Sequence, residues 1–297
     1  MSEKLTKNER RAQAREQARK MQEQRRRKER VRKGLTIGGI VVAAVAIVAI
    51  VAVVIVNSIR PAGPGPENMA SNGIVIGQDF VAERTAATAP EAEPTPTEPR
   101  DDIIQIEIYQ DYMCPVCGAF DETNRATLEQ LLSTGAATVE IHPISILDRA
   151  SLGTKYSTRS ASAAACVGEF APDQFWAFNS AMYDAQPAEN TAGLSNDEIV
   201  GVAETAGIDV SGGLADCIRE TRFGSWAEDA TVRAGTQPLP GTDGVVADRT
   251  PTVIVNGQQY PGSPSDAAGF QAFVTATAGQ LTGGGETATP EPTPSEG

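Results

Sequence analysis

Two stretches of the chain alternate apolar and polar residues with the period of a half-buried β-strand. Residues 102–109 place isoleucine at every second position, and residues 138–147 form a second stretch of this kind. Residues 115–134 lie between them and carry apolar positions at helical spacing, beginning with a proline and stopping at a glycine. A strand, a helix and a strand in this order predict a parallel pair with a right-handed crossover.

The rest of the folded region has a long helical part and a closing hairpin. Residues 149–235 are mostly helical in pattern, including one continuous helix over 213–234. Residues 252–255 then form a strand, Asn256-Gly257 predicts a hairpin turn, and a last helix covers about 265–279. We therefore expect an α/β fold whose core, 101–148 and 249–282, is interrupted by an inserted helical domain at 149–248.

The N-terminal region has the pattern of a membrane anchor. Residues 35–56 contain no charge, and as a helix they would be about 33 Å long, enough to span a bilayer. Residues 1–34 are strongly basic, whereas only Arg60 lies just beyond the apolar run. This pattern predicts an uncleaved signal anchor in the plasma membrane, with a cytoplasmic basic tail and an extracytoplasmic domain.

Two further segments have the composition of unfolded chain. Residues 57–100 are rich in Pro, Thr, Ala and Glu and predict an extracytoplasmic stalk, within which the apolar patch 74–76 offers one additional strand. Residues 283–297 repeat this composition and predict a disordered tail.

The charge distribution argues against nucleic acid as a partner of the main domain. The formal net charge is −13, yet residues 1–33 carry +9, so the remainder carries −22. An acidic domain is unsuited to nucleic acid, which requires a basic surface. No glycine-rich phosphate loop precedes a predicted helix, and we expect no cofactor.

The most informative motif is the pair of cysteines in Cys114-Pro115-Val116-Cys117, which falls where the first strand passes into the helix. Free backbone N–H groups and the helix dipole stabilise a thiolate at that position, so the pKa of Cys114 should fall below its ordinary value. Cys114 is then the nucleophile, and Cys117, one turn later, the resolving thiol that releases a bound partner.

A C-x-x-C motif alone also occurs in zinc sites and in inert structural bridges. Zinc needs further ligands, and the available residues, Cys166, Cys217 and His142, form no second pair at metal-binding spacing. We therefore predict no metal site. His142, the only histidine, is predicted to be a packed or hydrogen-bonded core residue rather than a group that titrates near the cysteines.

A second candidate feature is the dipeptide Thr250-Pro251, directly before the strand 252–255. A proline in this place suggests a cis peptide bond, and a cis-proline facing the cysteines would leave the backbone of Thr250 free to pair with an extended substrate peptide. The alternative is an ordinary proline at the start of an edge strand.

These motifs together resemble the DsbA-like branch of the thioredoxin superfamily, and more closely its membrane-anchored extracytoplasmic proteins of high-GC Gram-positive bacteria. The similarity covers about residues 100–280 and is carried by the segments 106–120, 142–145 and 156–161 and by Thr250-Pro251-Thr252-Val253. It implies a thioredoxin fold with an inserted helical domain, thiol-disulfide oxidoreductase activity, Cys114 as the attacking cysteine, Cys117 as the resolving cysteine and Pro251 as the cis-proline.

Two positions depart from the family pattern. Pro-Val stands between the cysteines where strongly oxidising DsbA has Pro-His, and the buried acid expected six residues before the first cysteine is replaced by Ile108. Glu107 and Asp111 are the two candidates for a substitute that moves protons.

The remaining cysteines, Cys166 and Cys217, are 51 positions apart in helical stretches on the oxidising side of the anchor. We expect a structural disulfide between them, with a second redox relay as the alternative.

The function predicted is a membrane-anchored oxidase that exchanges disulfides with secreted or cell-envelope proteins and is reoxidised by a membrane redox partner. The alternatives are a reductase or isomerase on the same fold, or a non-catalytic binding scaffold.

Overall fold

The computed structural model describes residues 19–21, 28, 63–90 and 92–283 of the chain. The chain divides into two units, Met1–Pro61 and Ala62–Gly297, and every strand and helix named below belongs to the second. Apart from the helical residues 19–21 and 28, the predicted basic tail and membrane anchor lie outside the described residues, as does the predicted C-terminal tail after Gly283. Within the described ranges, no helix combines the length and apolar character that a membrane crossing requires.

A five-stranded mixed sheet in the order β1-β3-β2-β4-β5 organises the second unit. Its central strands β2 and β3 are parallel, as the strand-helix-strand pattern predicts, whereas β1 and β4 join them antiparallel. The strands are β1 (Ile74–Ile76), β2 (Ile104–Gln110), β3 (Ala137–Pro143), β4 (Thr252–Val255) and β5 (Gln258–Gln259).

Seven α-helices, besides three short 3-10 helices, are present in the described part of this unit. The first and last flank the sheet, and the other five form the insertion between β3 and β4. They are α1 (Pro115–Thr134), α2 (Tyr156–Phe170), α3 (Phe175–Asp184), α4 (Asn196–Thr205), α5 (Leu214–Arg219), α6 (Gly224–Thr236) and α7 (Ala267–Gly283).

The two faces of the sheet are buried by different parts of the chain. Ile106 and Ile108 of β2 pack in the main core with α1 and α7, where the rings of Phe120 and Phe270 meet edge to face at 5.3 Å. The other face carries Tyr109, and a smaller cluster covers it with residues from the end of α6 and the segment that follows. The cysteine motif, which follows β2 and begins α1, thereby belongs to the first face.

The prediction of an extended stalk over 57–100 is wrong for residues 65–82, within which the strand expected at 74–76 is confirmed as β1. Met69, Ile74 and Ile76 are fully buried, β1 pairs with β3, and the Asn68 side chain donates a hydrogen bond to the Gly168 carbonyl at 2.9 Å. The composition of the segment is polar on average, but burial of these few apolar side chains is enough to fix it on the domain. The sheet therefore extends beyond the predicted core, 101–148 and 249–282, by one strand.

Candidate active site at the start of helix α1

Cys114 is the N-cap residue of α1, and its backbone is extended (φ −78°, ψ 114°) while Pro115 opens the first turn. Proline suits this position because its missing N–H would have no partner within the helix. Cys114 is 5% exposed and Cys117, one turn further on, is 2% exposed. The structure holds both as free thiols, so it represents the reduced pair.

The two sulfur atoms have pKa values displaced in opposite directions. The pKa of Cys114 is lowered to about 6, chiefly because the Cys117 thiol donates a hydrogen bond to its sulfur, with further contributions from Thr250 and from the N–H groups of Val116 and Cys117. Burial raises the pKa of Cys117 well above its ordinary value. At neutral pH the pair therefore holds one thiolate, on Cys114, and one proton, on Cys117.

The loop before β4 faces this thiolate. The Thr250-Pro251 peptide bond is cis, and the Cys114 sulfur lies 3.4 Å from the Thr250 carbonyl oxygen. The Thr250 side chain lowers the pKa of both cysteines by hydrogen bonding to their charged forms. The two segments that the sequence singles out, 136 positions apart, thus meet at one site.

Replacing Thr250 with valine removes this hydroxyl and preserves the shape of the side chain. Because a hydrogen bond to a charged group is lost, we expect the pKa of Cys114 to rise from about 6 to roughly 7. The pH dependence of alkylation at Cys114 measures this change. Thr252→Val is the matched control, since the Thr252 hydroxyl bonds the Arg249 carbonyl at 2.8 Å; equal pKa values in both variants would contradict the role of Thr250.

Of the two acids considered for proton transfer, Asp111 lies by the cysteines and Glu107 does not. Ile106 and Ile108 pack in the same core as both cysteines, and because side chains alternate along a strand, Glu107 lies on the opposite face of β2. Asp111 is fully buried, and burial raises its pKa to about 6, against the effect of hydrogen bonds from the N–H groups of Met113 (2.8 Å) and Leu147 (2.9 Å).

Gln186, which no sequence pattern singled out, fixes the loop in front of the nucleophile. Its side-chain amide donates to the carbonyl oxygens of Tyr112 (3.1 Å) and Cys114 (2.9 Å). A Cβ on Gly118 would lie 2.3 Å from the Gln186 side-chain oxygen, so the glycine after the second cysteine leaves room for this contact. Gly118 is the one sequence signal of this contact, because Gln186 itself follows α3 and is distant from the cysteines in the sequence.

The other candidate residues lie away from the thiol pair. Cys166 of α2 and Cys217 of α5 are fully buried and joined to each other by a disulfide, so neither offers a thiol. His142 is 4% exposed and stacks on Tyr109 with ring centroids 4.1 Å apart, on the second face of the sheet. Burial lowers its pKa.

Comparisons with known proteins agree with this architecture. Two solved structures from Mycobacterium tuberculosis, the reduced form of the disulfide bond oxidoreductase DsbG and oxidised DsbA, are each 25% identical to this chain with a TM-score of 0.52. Each match covers 71% of this chain, with 88% of DsbG and 93% of DsbA. Oxidised BdbD from Bacillus subtilis, 16% identical with a TM-score of 0.51, shares the fold over 74% of this chain and 100% of its own. Curated proteins gave no match.

Fold, paired thiols and these similarities define the class of the protein: it is a DsbA-like thiol-disulfide oxidoreductase. A thioredoxin family model matches residues 104–276, from the start of β2 into α7. The chain belongs to the thioredoxin family.

Proposed function

We propose that the protein is a membrane-anchored oxidase that introduces disulfides into secreted or cell-envelope proteins through Cys114 and Cys117. The observation that carries the proposal is the low pKa of Cys114, about 6, at the N-terminus of α1. A stabilised thiolate favours the reduced form of the pair, so the corresponding disulfide is a stronger oxidant. Similarity to DsbA and to the disulfide bond oxidoreductase DsbG supports the same class of client, a protein with cysteines.

The exchange proceeds in two thiolate attacks. A client thiolate attacks the Cys114 sulfur of the oxidised pair, forming a mixed disulfide, and Cys117 leaves and takes up a proton. A second client thiolate then attacks the client sulfur, and Cys114 leaves as a thiolate, stabilised by the hydrogen bonds described above. The client loses two electrons in forming its disulfide, and the enzyme pair gains them. A membrane redox partner returns the enzyme to the oxidised state.

The region around Cys114 suits an extended client peptide. Val116, between the two cysteines, is 48% exposed and offers an apolar contact beside the reacting sulfur. We propose that the backbone of Thr250, held by Pro251, pairs with the client strand on the other side. Main-chain pairing of this kind binds peptides with little regard to their sequence, as an enzyme with many clients requires.

The proposed location follows from the sequence of the first unit. The basic residues 1–34 and the uncharged run 35–56 favour a single membrane span with the N-terminus in the cytoplasm. The Cys166–Cys217 disulfide supports an oxidising compartment for the domain, since such bonds are rare in the cytosol.

Equilibration with reduced and oxidised glutathione tests the direction of exchange. We expect a reduction potential closer to about −120 mV, the value of a strong oxidant, than to about −270 mV, the value of thioredoxin. A potential nearer the thioredoxin value would contradict the oxidase and favour a reductase on the same site.

We also propose that Asp111 accepts the proton of Cys117 when that thiol attacks a mixed disulfide. Its pKa of about 6 leaves it ionised at neutral pH, and the rate of this resolving step should rise with pH through that value. Asp111→Asn should slow the step by roughly 10² and remove this pH dependence. Stopped-flow measurement of thiol release from a mixed disulfide tests both points.

A merely structural role for Asp111 would change stability and leave the pH profile in place. Glu122→Gln, which removes an exposed carboxylate of α1, is the control for the loss of one charge. Unaltered pH dependence in Asp111→Asn would contradict the proposed proton transfer.

A further inference from the structure

Three potential metal ligands meet on the face of the sheet that lies away from the thiol pair. Glu107 of β2 is directly opposite Glu140 of β3 in the strand register, and His142 follows two residues later on the same face. One ligand atom from each of the three lies within 4.8 Å of the others. Neighbouring strands thus supply the whole cluster from a rigid part of the fold.

The imidazole of His142 directs its buried nitrogen Nε2 at the two carboxylates. Nε2 makes no hydrogen bond, although the ring is only 4% exposed. Nε2 lies 3.3 Å from a Glu140 oxygen and 4.0 Å from a Glu107 oxygen.

The cluster leaves a buried polar atom without a partner. His142 is 4% exposed and Glu140 is 6% exposed, yet Nε2 of the ring makes no hydrogen bond beside the carboxylate oxygens. A buried polar atom without a partner is costly, and a cation between the three groups would satisfy all of them.

The two carboxylates also lack a basic partner. Among the described residues, the ion pairs of Glu107 and Glu140 are with His142 alone. The remaining contacts come from hydroxyl groups: Ser71 donates to Glu140, and Tyr109 donates to Glu107 at 3.3 Å.

An ion and its water ligands can reach the cluster from solvent. A cavity of about 530 Å³ borders Glu107, Glu140 and His142, and residues 94–101 also line it. The Glu107 side chain is 22% exposed, so the cluster is open on that side.

We propose that Glu107, Glu140 and His142 bind a divalent transition-metal ion, with Zn²⁺ as the representative case and water completing its coordination. Imidazole nitrogen together with carboxylate oxygen is a ligand set for such ions. In a tetrahedral site, bonds of about 2.0–2.2 Å place ligand atoms about 3.3–3.6 Å apart. The distance of 3.3 Å from Nε2 to Glu140 already meets this value, and the distance of 4.0 Å to Glu107 meets it after a small movement of the Glu107 side chain.

The stacking of the His142 ring on Tyr109 holds the orientation of the imidazole, as the surroundings of a metal-binding histidine usually do. The ion links β2 and β3. Ser71, which donates to Glu140, connects the cluster to the segment that precedes β1. Its role is therefore structural, and the thiol exchange needs no part of it.

Zinc binding to the full-length chain in detergent tests this proposal. The protein carries no histidine tag, is stripped with a chelator and has Cys114 and Cys117 oxidised, so that no thiol contributes. Calorimetric titration with Zn²⁺ should give one ion per chain, together with a rise in the melting temperature. X-ray absorption should show one imidazole nitrogen on zinc, and His142 is the only histidine of the chain.

Two Glu→Gln substitutions distinguish a carboxylate that binds zinc from one that only lies at the same cavity. Glu107→Gln should weaken zinc binding by roughly tenfold or more, since even indirect changes around a metal site have effects of that size. Glu98→Gln, which removes an exposed carboxylate at the same cavity, should bind zinc as the unaltered protein does. Absence of zinc binding, or equal affinity in the two variants, would overturn the proposal and leave the oxidase untouched.

Discussion

Replacing Cys114 with serine should reduce the rate of disulfide transfer to a reduced client by roughly three orders of magnitude or more, because the sulfur that carries the exchange is removed. The measurement is the oxidation of a reduced, unfolded protein by the preoxidised enzyme. The Cys114 side chain is small and lies at the start of α1, so the variant should fold normally, which circular dichroism checks.

Cys117→Ser is the matched variant, and it should accumulate a mixed disulfide instead of losing reactivity at the first step. It keeps the Cys114 thiolate, which should attack oxidised glutathione and release one glutathione thiolate. The mixed disulfide should then persist, because the resolving thiol is missing, and mass spectrometry detects it. Full activity in Cys114→Ser would contradict the catalytic account and favour a binding scaffold in which the chemistry is idle.

Removing the disulfide of the helical insertion should lower the free energy of unfolding by about 4 kcal/mol. The bond closes a loop of 51 residues, and the loss of chain entropy in the unfolded state accounts for an effect of this size. Cys166→Ala combined with Cys217→Ala, compared with the unaltered protein in urea, gives the value. Both residues are fully buried between α2 and α5, so the lost packing adds to the effect.

The same double variant also separates the structural disulfide from a second redox relay. We expect its oxidation of a client to remain near the unaltered level below the unfolding midpoint, since the pKa of Cys114 is set by groups outside the insertion. A large loss of activity without a loss of stability would favour the relay.

The sequence predicted those parts of the fold and site that depend on local pattern. The parallel strands β2 and β3, the helix from Pro115 and the meeting of Cys114 with Thr250 follow from periodicity, proline placement and family resemblance. The strand at 74–76 was also expected, but the packing of the residues around it, among them Met69 and Ala82, was not, because a few buried side chains outweigh a polar average composition.

Contacts between distant segments explain the other differences. One helix was expected over 213–234, but the structure has α5 and α6, separated near Thr221 with φ 49°. The Phe223 N–H there donates to the Ser162 hydroxyl of α2 at 3.0 Å, a tertiary contact that no local pattern contains. Gln186 likewise reaches the cysteine loop from another element.

The polar cluster on the second face of the sheet was within reach of the sequence. Glu107 alternates with buried isoleucines, and Glu140 and His142 are spaced by two in the next strand, which places all three on one face once the parallel register is known. The spacing of cysteines and histidines within one element does not reveal ligands that two neighbouring strands bring together.

The ionisation of Cys114 tests the central claim most directly. The pKa of Cys114 is lower in the folded state than in the unfolded chain, so its ionisation stabilises the folded, reduced protein at alkaline pH. This stabilisation is lost as the pH falls through about 6. The rate of alkylation of Cys114, followed by mass spectrometry from pH 3 to pH 10, should show a midpoint near 6. A midpoint near 8.5, the value of an ordinary thiol, would contradict the account.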